Sequence, residues 1–297
     1  MANTPSTPPG HGPVPRSVLL TGASGGVGTV AARALADHGF RVFAGVRDPG
    51  AYRPPSPQVV PVALDVTDPD AVATAAATVA ERTGGALYAV VNNAGVLVQG
   101  PLELVPAAEL HRQFAVNVYG PALVTQAFLP LLRRGHGRLV NVSAPTARVP
   151  APFFGPIGAS KAALQAMSHA LRVELAHWGI PVVILEPGAM RTEIFRRAAE
   201  AQEQAASSLS EGQTELYAAQ LAAIGTAAAA MKAAPPDIMA AAILRSLTAA
   251  RPRARYTVGP DTRLIGLLSR LPLRTQDRLI SGVLGLDKVA PAQGSAK

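Results

Sequence analysis

The chain has 297 residues, 48% of them hydrophobic and 15% charged, enough to bury a large core in a single α/β domain of about 250 residues. It has no cysteine, which excludes disulfide and thiol chemistry. The net charge is +8, yet no aromatics are interleaved with the basic residues, and no apolar run approaches the roughly 18 residues of a membrane span; nucleic acid is not an expected partner and no transmembrane segment is expected.

Residues 1–15 are rich in Pro, Ser, Thr and Gly without a hydrophobic signal region, and read as a disordered arm. Ser17–Leu20 is a short apolar run, read as a buried strand. Thr21-Gly22-Ala23-Ser24-Gly25-Gly26-Val27-Gly28 follows, and Val27, Val30, Ala31, Ala34 and Leu35 then recur at helical spacing. Strand, glycine-rich turn and helix make the first unit of a dinucleotide-binding fold, in which backbone approaches pyrophosphate and a helix N-terminus offers its free N–H groups. A glycine pattern alone also fits a mobile turn, so the segments downstream have to carry the reading.

Residues 41–46 form a second strand ending at Arg47. An acid at this point would receive ribose hydroxyls, whereas an arginine suits a 2′-phosphate; Arg47 therefore points to NADP(H), against the alternative of a solvated surface arginine. Further strands are read at 59–64, closed by Asp65-Val66, at 87–91, running into Asn92-Asn93-Ala94-Gly95, at 138–142, and at 182–185, followed by Glu186-Pro187-Gly188. Amphipathic or alanine-rich helices separate them. Buried apolar strands alternating with helices imply a parallel, doubly wound sheet.

Thr21-Gly22-x-x-x-Gly26-x-Gly28, Asn92-Asn93-Ala94-Gly95, Asn117, the helix of Lys161 and Pro187-Gly188-x-x-x-Thr192 together resemble the short-chain dehydrogenase/reductase family over residues 16–260. The resemblance implies an α/β Rossmann fold and a nicotinamide cofactor. By the same resemblance, Gly22, Gly26, Val27 and Gly28 line the pyrophosphate turn, and Ser24 and Arg47 hold the 2′-phosphate side. Asp65 and Val66 meet the adenine, while Asn93 and Gly95 flank the cofactor. Lys161 bonds the nicotinamide ribose, Thr192 and the backbone after Pro187 and Gly188 fix the carboxamide, and Asn117 holds a water near the site.

The departures from the family pattern are concentrated elsewhere. Family members polarise a substrate carbonyl with a serine and a tyrosine, the tyrosine four residues before the lysine. Those positions are Ala144 and Ile157 here. Ser143 is one residue early and, by strand alternation, aims away. Tyr217, Lys161, Thr146 and Gln99 are weighed as substitutes: Tyr217 by swinging in or by packing only, Lys161 as an acid or only as a ribose ligand, Thr146 and Gln99 as orienting groups. Tyr119 should face away from Asn117 on one helix. The six histidines match no metal spacing.

Loss of a positioned acid costs about 10²- to 10⁴-fold in rate, and loss of an oxyanion donor a comparable factor. Three classes of activity avoid those penalties. One is hydride transfer to an iminium, oxocarbenium or conjugated acceptor. A second is non-redox cyclisation or dehydration. The third is nucleotide binding without catalysis, as a sensor or partner. Residues 190–234 read as a variable helical lid suited to a bulky apolar substrate. The alanine excess suggests a high-GC bacterial gene, and specialised metabolism in the cytoplasm is the expected setting.

From Arg245 to Arg278 eight arginines face two acids, a local balance of +6, beside an apolar stripe at Leu264, Ile265, Leu267, Leu268 and Leu271. A C-terminal helical extension over 261–287 packed on its own domain or a sister subunit, a membrane-surface helix, and a docking face for an acidic carrier protein all fit this pattern. Residues 288–297 read as a disordered tail. The family resemblance implies a homodimer or homotetramer, paired through the helices of Asn117 and Lys161.

Overall fold

A computed structural model describes residues 16–206, 211–259 and 262–290; the arm at 1–15 and the tail beyond residue 290 lie outside the described residues. Among the described residues seven strands form one sheet in the order β3–β2–β1–β4–β5–β6–β7, every neighbouring pair parallel. They are β1 Ser17–Thr21, β2 Arg41–Val46, β3 Val59–Ala63, β4 Ala89–Asn92, β5 Arg138–Val142, β6 Val182–Pro187 and β7 Arg255–Val258. The strand order reverses between β1 and β4, and the crevice at their C-terminal ends is where open parallel sheets take ligands.

Alternation along the strands divides the core into two layers. Val18 and Leu20 of β1 face α1 (Gly26–Asp37) and α9 (Asp237–Thr248), whereas Leu19 faces α2 (Pro69–Thr83) and α4 (Gly120–Arg134). Helix α2 shows how local sequence sets a boundary. Asp68 accepts N-cap bonds from Asp70 and Ala71, Pro69 opens the helix, and Gly84 closes it at φ +63°.

Three regions differ from the sequence reading. Strand β7 was not anticipated, because Arg-Tyr-Thr-Val offers no apolar run; it is an edge strand, and its register follows from pairing with β6. Helix α3 (Ala107–Phe114), a π turn at Ala115–Tyr119 and α4 join into one 28-residue helix, apolar and long enough to cross a membrane by length and hydropathy. Half of its apolar window is buried in the chain, with Val124, Phe128 and Leu132 fully covered, as expected of a core helix. The C-terminal extension is two helices, α10 (Thr262–Leu268) and α11 (Leu273–Leu284), because Pro272 interrupts the apolar stripe and opens α11.

Between β6 and α9 the chain leaves the sheet through α6 (Ile194–Ala206), α7 (Glu211–Leu216) and α8 (Ala218–Ala230). A parallel bridge joins Met190 to Ala234 at the base of this excursion. Helix α5 (Gly155–Glu174) packs beside the π turn and carries Lys161 to the crevice.

Candidate active site

One hydroxyl organises the mouth of the crevice. Thr21 Oγ1 accepts from the backbone N–H groups of Asn93 and Ala94, both at 3.0 Å. Asn93 Nδ2 donates back to the carbonyls of Thr21 (3.0 Å) and Gly22 (3.3 Å), so its side chain is spent on holding the turn. Gly22 has φ +65°, and a Cβ there would stand 2.8 Å from Ala94 Cα. A Cβ on Gly28 would stand 2.2 Å from the Gly22 carbonyl oxygen. Only glycine allows strand, turn and helix to come this close. Ser24, Gly25 and Gly26 are exposed, and Gly25 caps α1 with no side-chain hydrogen bond, leaving first-turn N–H groups open to an anion. Thr192 reaches over this turn: a Cβ on Gly26 would stand 2.9 Å from Thr192 Cγ2. Val27 turns its side chain into the α1/α9 layer.

At the end of β2, Arg47 is exposed. Asp65 accepts from the Thr67 N–H (2.9 Å) and hydroxyl (2.7 Å); these bonds, with the charge of Arg47 as a lesser cause, hold its carboxyl below the usual range. Val66 packs on α4, where a Cβ on Gly120 would stand 2.7 Å from its Cγ2. Gly188 donates to the Val258 carbonyl, which fixes the start of the segment after Pro187.

A second cluster contains Gly95, Asn117 and Lys161. A Cβ on Gly95 would stand 3.4 Å from Asn117 Oδ1 and 3.7 Å from Lys161 Nζ. Asn117, in the π turn, accepts from Val96 N–H (2.9 Å) and donates to Val96 O (3.0 Å), so both ends of its amide hold the chain after Gly95. Such bulges commonly mark functional positions. Lys161 Nζ donates to the Val142 carbonyl at 2.7 Å, and burial pulls its pKa down to about 8.

Two residues of this cluster were missed in the sequence. Gln113 is fully buried; it accepts from Val98 N–H (2.7 Å) and donates to Val96 O and Ser160 Oγ, both at 3.1 Å. Its spacing of four from Asn117 was the available signal, since i and i+4 share a helix face. Glu186 is the other, an acid ending an apolar strand. It is fully buried and bonded by Arg148 (2.7 and 3.1 Å), Arg255 (3.1 Å) and Gln165 (2.7 Å).

The substrate side is apolar. Ile157 is 8% exposed and packs with Leu97, Phe154, Ile194 and Ala198. Ala144 is extended and starts a short 3₁₀ turn, Pro145–Ala147. Ser143 Oγ accepts from Gln165 (2.9 Å) and donates to the Lys161 carbonyl (3.4 Å), which turns it toward α5. The Thr146 hydroxyl is buried without a hydrogen-bond partner among the described residues, beside Gly158. Tyr119 is exposed. Tyr217 donates to Glu103 (2.6 Å), which pushes its pKa up, and its ring meets Phe153 edge-on. Gln99 lines a recess with Leu97, Leu104, Ala198 and Leu221. Leu97 and Ala198 are common to this recess and to the packing around Ile157. Among the described residues no group of His, Asp and Glu side chains could hold a metal ion.

Residues 16–203 match the family model described as short chain dehydrogenase. The uncharacterized oxidoreductase YbbO of Escherichia coli (strain K12) is 34% identical over 270 residues, covering 90% of this chain and 94% of that protein. The 3-amino-tetrahydro-pyrrolizinone reductase of Xenorhabdus hominickii is 35% identical over 181 residues, 61% of this chain and 63% of that protein. A solved short chain dehydrogenase from Burkholderia cenocepacia J2315, in complex with NADP, superposes with a TM-score of 0.71 at 25% identity, over 93% of this chain and 98% of that one. The sheet order, the glycine turn and these likenesses agree: the chain belongs to the short-chain dehydrogenase family.

Proposed function

We propose that this protein binds NADP(H) and acts as an oxidoreductase on an acceptor that takes no proton from position 157. The observation that carries the proposal is the contrast within one crevice. The turn at Gly22–Gly28 and the Lys161 cluster are intact, while Ala144 and Ile157 offer no hydroxyl. The fit to the cofactor rests on the exposed turn, the uncapped start of α1 and the exposed Arg47 at the end of β2. Backbone N–H groups of α1 would hold the pyrophosphate, with Ser24 and Arg47 at the 2′-phosphate, Asp65 near the adenine and Lys161 at the ribose. Thr192 and the backbone after Pro187 would hold the carboxamide. The Burkholderia cenocepacia relative, solved with NADP, supports this cofactor.

When bound, NADPH would supply a hydride, and its addition to an iminium carbon moves the C=N π pair onto nitrogen and needs no proton at that moment. Apolar walls at Leu97, Ile157 and Ala198 then serve to hold a bulky acceptor and exclude water. Lys161 keeps its own proton on the Val142 carbonyl or a ribose hydroxyl. Residues 190–234 act as the lid, and the relative named as a 3-amino-tetrahydro-pyrrolizinone reductase supports a specialised substrate. Self-association as a homodimer or homotetramer through α4 and α5 completes the reading.

A second reading has its own observation. Ile157 is buried in one cluster with Leu97 and Ala198, against which Ile194 of α6 packs, as expected of a protein that binds the nucleotide without turning it over. Calorimetric titration with NADPH and NADH, then NADPH consumption with cyclic iminium and ketone panels, separates these readings. Tight NADPH binding with iminium-only turnover supports the proposal. Binding without turnover favours the second reading, substrate conversion without NADPH loss indicates non-redox chemistry, and no binding overturns both.

A further inference from the structure

We infer that the C-terminal helix pair, together with an arginine-lined recess beneath it, docks on an anionic membrane surface. The recess, about 640 Å³ and open to solvent, is lined by Arg148, Arg255, Arg270 and Leu267 among others. Three guanidinium groups meet there, and the carboxylate within reach is Glu186, fully buried beneath Arg148 and Arg255. Among the described residues one carboxylate stands against three arginines, which leaves this lining positive and suited to a phosphate group. Arg270 is exposed and has no ion pair among the described residues.

The helices above this recess pack on the domain along one side, α10 on β7 and the Pro145–Ala147 turn and α11 on α8, and leave a row of aliphatic side chains outside. Leu264, Leu267, Leu273, Leu279 and Val283 are 47–77% exposed, five aliphatic side chains within twenty residues. Arg270, Arg274 and Arg278 stand exposed among them. Most of the chain's net charge of +8 belongs to this part of the sequence, since residues 245–278 carry +6. Leu264 and Leu267, one helical turn apart, share a face of α10, and Leu267 also borders the recess.

Aliphatic side chains separated by arginines match a bilayer interface, where anionic headgroups lie above acyl chains. Arginine stems can lie along the apolar surface while their guanidinium groups stay at headgroup level. An acidic protein would need carboxylates placed against each arginine and an apolar patch placed against each leucine. A bilayer supplies both without a fitted partner, so the anionic membrane is the occupant proposed. The docking does not depend on the chemistry at Ile157.

The test is flotation of the full chain with phosphatidylcholine vesicles, with and without phosphatidylglycerol. Strong preference for the anionic vesicles, lost at high salt, is expected. Arg270→Glu/Arg274→Glu/Arg278→Glu should lower partitioning on the order of 100-fold. Leu264→Ser/Leu273→Ser should lower it about tenfold or more. NADPH titration and the thermal midpoint of each variant should match those of the parent chain, which separates lost docking from misfolding. Equal binding to both vesicle types, or none to either, overturns the proposal. So does conversion of a dimer to a monomer by the leucine substitutions in sedimentation velocity, which would make this face a contact between two copies. Resistance of flotation to the arginine substitutions would overturn it as well.

Discussion

The two walls of the crevice are made of different material. On one, β1, the glycine turn and the end of β4 are held by backbone groups, Thr21 and Asn93. On the other, Ala144 and Ile157 stand where the family resemblance implies hydroxyls, and Ile157 is buried in a cluster with Leu97 and Ala198. The cofactor wall depends on close approach of main chain, which few substitutions tolerate. The substrate wall depends on which side chains project from a turn and a helix, and these can change without disturbing the sheet. The family fold can therefore be kept while the side chains at 144 and 157 vary.

The largest test of this contrast restores the missing groups. Ala144→Ser with Ile157→Tyr should raise ketone reduction by about 10²- to 10⁴-fold, measured as NADPH-dependent kcat/KM. No gain would mean that the lid packing over residue 157, and not the missing hydroxyls alone, blocks ordinary carbonyl chemistry. Damage to the opposite wall comes next. Gly28→Val forces atoms into a space where even a Cβ meets the Gly22 carbonyl at 2.2 Å. It should weaken NADPH binding about 10- to 100-fold and lower the urea midpoint through overpacking. Arg47→Asp should shift the NADPH-to-NADH affinity ratio by about tenfold toward NADH in paired titrations, since one charge-assisted contact is exchanged for repulsion.

Lys161 joins the two walls, and its titration gives a smaller signal. The folded chain releases its proton at about 8, while the unfolded chain keeps it to near the ordinary lysine value of 10.5. Between these values the unfolded state binds more protons, so stability rises with pH. Below that window the full cost of burying the ammonium is present. Urea unfolding of the parent chain and Lys161→Met across this range should show the parent gaining on the variant as pH rises. The smallest effect belongs to the helical excursion. Tyr217→Phe removes the bond to Glu103 and should raise proteolytic cleavage between α6 and α8 by no more than about fivefold, because an exposed hydrogen bond contributes little net stability.

Two non-glycine residues among those described take a positive φ, His136 in the turn before β5 and Phe153 beside the crevice. Phe153 has φ +65°, a conformation costly for an aromatic residue, just before α5. Its carbonyl accepts from Gly100 N–H at 2.7 Å and its ring meets Tyr217. The strained residue thus ties the loop at Gly100, the start of α5 and the α7–α8 junction together.

Much of the molecule was legible from the residues alone. The apolar strands, the helical spacing after Gly28 and the order of the motifs follow from local steric and hydrophobic rules, which act over a few residues and so leave a periodic trace. The absence of hydroxyls at Ala144 and Ile157 was legible for the same reason, being a matter of identity and spacing. Tertiary structure alone decided what fills the space they leave. Ile157 is packed by Leu97, sixty residues earlier, and by Ala198, forty-one later, and no local rule links them. It alone decided that Gln113 clamps Val96 and Val98, that Arg-Tyr-Thr-Val becomes a strand by pairing with β6, and that Glu186 draws Arg148 and Arg255 together. Each is a contact between distant residues whose energy exists only once the sheet has brought them within a few ångströms, and the sequence carries no period or spacing that records it.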